Sequence, residues 1–357
     1  MPQIEEWALG RDSCYVLPSP SDFSIDDTLV LPQKNGGNVA GLSGGQYVPE
    51  NHAFRGLLTA ILWHGDNRSP AVEMQGVEQS VERITIVDAP VGVLSHKPAI
   101  GLCTGRCCLR DVWLSDCTVG VQAGLVEEED SCDCLVLDRV FFHGCVDSCV
   151  KLINAESTGH KVSGCWFLSM DADCFVVEGG GDLWVSQSTV ANAARLLRLT
   201  GRRAITPANA SYVFEKIKIA EEAGPLFELV RMDHATPSDI VFRDCHVECL
   251  EYEKNNGRMF VVQGATALTL EGIYNLQGGV IEWHHKRRRG PDDLPNIIIN
   301  RSRLAGVTKA EDVLNTSESS GPAHVVVRDC YRSNGQPIED FCGIVHGALE
   351  QGAKHGK

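Results

Sequence analysis

The sequence predicts an all-β solenoid in which coils of parallel strands stack on one another. Three observations carry that reading: an internal repeat near 28 residues, a second short apolar run in every repeat, and no stretch with helical periodicity. The repeat shows first in Val-Arg-Asp-Cys ending at Cys330 and Phe-Arg-Asp-Cys ending at Cys245. Extended along the chain, it gives a ladder of Ile84, Val112, Val140, Cys165, Ser188, Ile217, Cys245, Ile273, Ser302 and Cys330. The intervals are 28, 28, 25, 23, 29, 28, 28, 29 and 28. Apolar partners such as Leu135, Leu137, Ile240, Phe242, Val325 and Val327 precede the ladder residues and mark each segment as a strand.

The second run follows about nine residues later, as in Val119 to Val121, Cys149 to Leu152, Phe175 to Val177, Leu196 to Leu199, Met259 to Val262 and Val280 to Trp283. These runs are short, β-branched or alternating, and bounded by Gly, Asp, Asn and Pro, which makes them strands. Such a period is too short for a propeller blade and lacks the helix of a leucine-rich horseshoe. Parallel strands stacked about 4.8 Å apart place each ladder residue on the next and build an internal column. Buried thiols are small hydrophobes suited to that column, and the 35 glycines serve the turns.

Composition narrows the class. The 357 residues are 43% apolar and 22% charged, globular values that allow a sizeable core, and aromatics at 6% argue against a core of large rings. Lys and Arg number 32 against 47 for Asp and Glu, a formal charge of −15 that repels nucleic acid and anionic membranes. It opposes a polyanionic sugar as well, unless a local basic patch receives it. No run approaches the roughly 20 apolar residues of a membrane span. The start, Met1 to Trp7, has neither the basic nor the apolar region of a secretory signal. Mostly reduced thiols are therefore expected for the 15 cysteines, favouring cytoplasmic synthesis or a virion component.

The pattern Val-x-x-Asp-Cys-x-Val followed by Gly-Val-x-Leu-like strands resembles the right-handed parallel β-helix proteins of the pectate-lyase-like superfamily, also known as the pectin lyase fold. The resemblance covers about residues 57–330. It implies about ten regular coils, an N-terminal cap and irregular entrance at 1–56, and a C-terminal cap or tail at 331–357. It implies a carbohydrate-related activity, with a polysaccharide lyase or glycoside hydrolase acting on an acidic glycan as the leading reading. The Gly-His-Gly, Asn-Thr-Asp and Asp-Asp set of polygalacturonase-type hydrolases is missing, as is the Arg-x-Pro-x-x-Arg element of pectate lyases. A non-catalytic glycan-binding or structural solenoid, such as a virion spike component or adhesin-like module, is the alternative. A homo-oligomer fits either reading.

Stacking supplies candidate residues. Asp147, Asp171, Asp173 and Arg195 lie seven, six, eight and seven residues beyond successive ladder positions, which lines them up on neighbouring turns. Carboxylates about 5 Å apart suit a retaining glycosidase pair, and Arg195 would neutralise a substrate uronate or hold one carboxylate. The bland alternative is turn residues solvated separately. His143 is a candidate helper. Trp113 and Trp166 follow ladder residues by one position and so face outward as glycan platforms or subunit contacts, with Trp184 a further ring nearby. The basic loop Lys286, Arg287, Arg288 and Arg289 is a natural dock for a polyanion. Glu127, Glu128, Glu129 and Asp130 form an acidic loop that would accept Ca2+, or else a solvated face. Cys103, Cys107, Cys108, Cys132 and Cys134 crowd neighbouring turns, where core packing is favoured over a disulfide or zinc.

Overall fold

The protein is a right-handed parallel β-helix, here represented by a computed structural model. The described residues are 5–9, 12–16, 22–31, 37–41, 59–96, 107–125, 132–153, 158–169, 172–179, 181–201, 210–220, 227–233, 238–248, 258–264, 266–284 and 294–348. Lys286 to Arg289, Glu127 to Asp130, Asp171 and Cys103 lie outside them. The chain forms two compact units, residues 1–183 and 184–357.

The coil at Cys108–Ala123 shows how the sequence makes the fold. Cys108–Arg110 is a strand of sheet I, Trp113–Ser115 of sheet II and Val119–Ala123 of sheet III. Each pairs in parallel with its counterpart a coil earlier and a coil later. Leu109, Leu114 and Val121 point inward and are fully buried. The apolar runs anticipated about nine residues after the ladder are the sheet III strands. Sheet II, whose strands span only two to four residues, carries too little alternation to be legible beforehand.

Ladder residues occupy the corner between sheets I and II instead of the middle of a strand. In both units each one follows a residue in the left-handed region: Arg83, Asp111, Arg139, Gly164, Gln187, Lys216, Asp244, Gly272, Arg301 and Asp329, with φ between 48° and 65°. Eight of these are not glycine, and each pays on the order of 1 kcal/mol for that conformation. Main-chain bonds between coils oppose that cost. Asp111 N–H donates to Asp138 O at 3.1 Å, and Phe141 N–H to Val112 O at 2.9 Å. The exposed corner side chains then alternate in sign, and Arg139 binds Asp111 through both Nε (2.7 Å) and Nη2 (3.0 Å).

The corner also explains why Cys and Ser sit on the ladder, beyond their modest volume. The ladder residue's own N–H turns toward the following coil and meets a side chain there. Cys165 Sγ accepts from Val140 N–H at 3.4 Å, and Ser302 Oγ accepts from Ile273 N–H at 3.0 Å. Each polar hydrogen is returned to a carbonyl two residues back, Ser163 O and Asn300 O. Cys245 and Cys330 donate in the same way to Arg243 O and Arg328 O. Burial pushes the Cys165 thiol up to about 12 and that of Cys245 to about 11, so both stay protonated donors at neutral pH. Twelve cysteines, from Cys107 to Cys342, are free thiols.

Large rings do enter the core, contrary to expectation. In the first unit Phe142 stacks on Phe167 at 5.1 Å with planes 5° apart, and Phe167 meets Phe175. In the second, Phe214 stacks on Phe242 at 4.8 Å and Phe242 meets Phe260 edge-on. The aromatic total is low, but stacking between coils lets identical rings pile up inside.

Parallel pairing extends N-terminal of residue 57. Asp22–Ile25 pairs with Ala60–Trp63, Leu29–Leu31 with Pro70–Met74, and Asn38–Ala40 with Ser80–Glu82. Antiparallel strands occur at the extremes of sheet I: Glu5–Leu9 on Asp12–Val16, and Phe341–His346 on Pro322–Arg328.

Two outcomes follow. Ser302→Ala should cost about 1–3 kcal/mol by leaving the Ile273 amide unsatisfied, while Ser302→Cys should be milder; urea unfolding of both variants checks this. His160 is buried and its imidazole pushed down to about 4 by desolvation. Below the ordinary histidine value the unfolded chain binds the extra proton, so stability should fall by roughly 2–3 kcal/mol from pH 6.5 to 4. His160→Gln should flatten that slope in denaturation curves taken across the window.

Candidate functional site

Of the expected line, Asp147 and Asp173 belong to the first unit and Arg195 to the second. Asp147 N–H and Asp173 N–H make successive rungs of main-chain bonding, to Thr118 O and Asp147 O. Their side chains nevertheless part. Asp147 is exposed and pairs with Lys151 at 3.6 Å, while Asp173 is 4% exposed and in register with Ser148. The offset of one residue sends the two carboxylates to different surroundings. Arg195, in the second unit, pairs with Glu228 at 3.0 Å. There Glu228 also faces Arg231 and Arg258, and Arg258 reaches Glu282, whose other oxygen meets His284 Nε2 at 2.5 Å. Burial raises the Glu282 carboxyl, but His284, Arg258 and Arg231 outweigh it and hold it below the usual range. This is a charge-balanced network on sheet III.

Carboxylates do stack at a different corner, between sheets II and III of the first unit. Asp88, Asp116 and Gly144 are 28 residues apart in turn and share the left-handed conformation, with φ of 61°, 56° and 65°. Their amides form one ladder: Asp88 to Ser115 O at 3.1 Å, Asp116 to His143 O at 2.8 Å, Gly144 to Leu168 O at 3.0 Å. Adjacent coils set the two aspartates about 4.8 Å apart along the axis. Glycine is required at 144 because a Cβ there would come within 2.3 Å of Asp116 Oδ1. The carboxylate of Asp116 fills that space and accepts from Ser115 Oγ at 3.0 Å. Ser115 Oγ is in turn 3.5 Å from His143 Nδ1, joining the candidate helper to Asp116 through one hydroxyl.

Burial and the neighbouring charge of Asp116 hold the Asp88 carboxyl above the ordinary aspartate range, with His64 opposing. A carboxyl shifted toward its protonated form beside one that accepts a hydrogen bond is the kind of contrast general acid catalysis uses.

The outer face of sheet II leads up to this corner. Trp113, Phe141 and Trp166 are in register, two residues before Ser115, His143 and Leu168 on the same face. Trp113 spends a ring face on Phe141, centroids 3.9 Å apart, so it is no open platform. Trp166 is 49% exposed and 6.1 Å from Phe141, and it carries the accessible ring. Trp184, 50% exposed, belongs to a sheet I strand, Leu183–Ser186. Of the crowded cysteines, Cys107 and Cys132 are buried and bonded to Gly76 O and Ser95 Oγ, while Cys134 is exposed. Among the described residues no cluster of His, Cys, Asp and Glu is arranged to hold a metal.

Asp88 and Asp116 were not singled out from sequence, although their spacing equals the repeat. Aspartate at a turn has too common an explanation, and only the left-handed corner shows that these two must stack.

No family model matches the sequence, and no curated protein matches it. Among solved structures, the catalytic domain of a GH87 alpha-1,3-glucanase is similar. An alanine variant in complex with tetrasaccharides gives a TM-score of 0.46 at 6% identity, covering 91% of this chain and 62% of that one. Its complex with nigerose gives 0.46 at 7%, covering 89% and 61%. This chain therefore spans about three-fifths of the length of the structures it resembles, and the likeness is one of fold.

Asp88→Asn should leave the protein at least as stable at neutral pH, since asparagine tolerates the left-handed corner and relieves the repulsion from Asp116. Asp88 binds its proton more tightly folded than unfolded, so the stability difference should appear as pH rises above the ordinary aspartate value and vanish below it. Paired denaturation curves at pH 3.5 and 7 decide this; a destabilised variant at pH 7 would contradict the stacked pair.

Proposed function

We propose that this protein is a glycoside hydrolase whose reacting centre is the Asp88–Asp116 corner of the first unit. The reading is carried by one observation: two aspartates stacked in consecutive coils, with Asp88 held above the ordinary aspartate range by burial and by the charge of Asp116. Asp88 donates its proton to the glycosidic oxygen as the sugar–oxygen bond breaks. Asp116 faces the developing positive charge at the anomeric carbon, either attacking it or activating the water that does. One coil of separation is near the spacing of the covalent, retaining arrangement. Ser115 orients Asp116, and His143 stands behind Ser115 as a second proton acceptor. Trp166 offers an open ring for a sugar further along the same face.

A hydrolase is favoured over a lyase, because a lyase must neutralise a uronate carboxylate and the side chains named at the corner, Asp88, Asp116, Ser115 and His143, include no Lys or Arg. The sugar at the reacting position is for the same reason uncharged.

The test is a panel of neutral and acidic polysaccharides, read by reducing ends and by absorbance of unsaturated product. Reducing ends without absorbance, lost by about a hundredfold or more in both Asp88→Asn and Asp116→Asn, are expected. Full activity in either variant would sink this centre. Silence of the wild type across the panel would leave glycan binding without cleavage as the correct class.

A further inference from the structure

Sheet II of the second unit carries an exposed row at the same position that holds Trp113, Phe141 and Trp166 in the first. Lys218, His246, Tyr274, Arg303 and Tyr331 are in register on its outer face. Lys218 and His246 share one carboxylate, Glu248, at 3.3 and 3.5 Å. Further along, the balance changes. Tyr274 and Tyr331 are 45% and 48% exposed, large values for rings on a regular strand. Between them in register stands Arg303, exposed and without an acidic partner among the described residues.

Arg195, Arg198, Arg231, Arg243, Arg258 and Arg301 of the same unit all reach a carboxylate, whereas Arg303, Arg328 and Arg332 do not among the described residues. Arg303 is instead held by neutral groups. Its guanidinium lies over the Tyr274 ring, 5.1 Å from the centroid, donates through Nη1 to Tyr274 Oη at 3.0 Å, and donates through Nη2 to Ser333 O. His246 meets the other side of Tyr274 edge-on at 4.6 Å. A guanidinium has five N–H donors, and these two bonds leave the rest for an incoming acceptor. The cation is thus immobilised before any ligand arrives, which lowers the entropy cost of binding.

We propose that the Tyr274–Arg303–Tyr331 row binds an anionic saccharide, with its carboxylate or sulfate on Arg303 and a sugar ring against a tyrosine. Charge complementarity selects the acid: in a chain at −15, an unneutralised and fixed arginine is the place where an anion is attracted instead of repelled. Tyr331 selects the sugar, since its exposed side chain offers an apolar ring beside a hydroxyl, the pairing of surfaces that a pyranose presents in return, while Tyr274 holds the guanidinium. Arg332, on the same strand as Tyr331, is held by Thr308 O and Gln336 Oε1 and its Nε is buried. This site is independent of the hydrolytic reading and lies in the other unit.

Titration calorimetry of the full chain with oligogalacturonate, a sulfated oligosaccharide, a neutral glucan oligomer and a polyglutamate peptide tests the proposal. One of the acidic sugars should bind, and which one names the acid. Arg303→Gln should weaken it by about tenfold or more with an unchanged melting temperature. Tyr331→Ala should weaken it as well, and binding should decline as salt rises from 20 to about 200 mM. Asp88→Asn should bind like the wild type, so loss of hydrolysis and loss of this site are told apart. No binding of either acidic sugar, equal binding of the glucan or the peptide, or unchanged affinity in Arg303→Gln would overturn it.

Discussion

The left-handed residue ahead of each ladder position is the constraint on which the rest of this β-helix depends. It turns the chain from sheet I to sheet II within one residue, aims the ladder side chain inward, and sends the following residue outward. It also removes the ladder amide from regular pairing, which is why Cys165 and Ser302 are hydrogen-bonding side chains in an otherwise apolar column. Because the same turn recurs, whatever stands before the ladder is stacked on its counterpart, and charges there must alternate or be absent. Arg83, Asp111 and Arg139 follow that rule, and Gly164 ends the series.

Much of this was legible beforehand, for a physical reason. A stacked column demands the same residue class at the same interval, so the period and the identity of the inward residues can be read from spacing alone. All ten ladder positions are buried. Conformation was less visible. That the ladder sits at a corner depends on φ, and the residues adopting left-handed φ, among them Arg, Lys and Gln, carry no signature of it. Asp147 and Asp173 stand one residue out of register, an offset that strand alternation turns into different surroundings. Asp88 and Asp116 obey the period without deviation, yet a turn aspartate is individually uninformative. The basic and acidic loops fall outside the described residues.

The outward position after the ladder shows how a solenoid separates folding from function. Its side chains contribute little to the core, so one coil position carries Trp113, Phe141 and Trp166 in one unit and Tyr274, Arg303 and Tyr331 in the other. Stacking nevertheless limits what such residues offer. Rings piled at the coil spacing cover one another, as Trp113 and Phe141 do, and only a ring with a looser neighbour presents a face.

The reversed strands at the extremes of sheet I bear on a hazard inherent to this architecture. Every coil is a template for the next, and an uncovered terminal coil is a head-to-tail surface on which another molecule can add without limit, giving filaments in place of closed assemblies. Phe341–His346 runs against Pro322–Arg328 and so substitutes an antiparallel hydrogen-bond pattern for the parallel one. Glu5–Leu9 does the same against Asp12–Val16. A second chain arriving in the orientation of a coil meets, at each extreme of sheet I, a strand of reversed direction instead of the parallel edge of another coil.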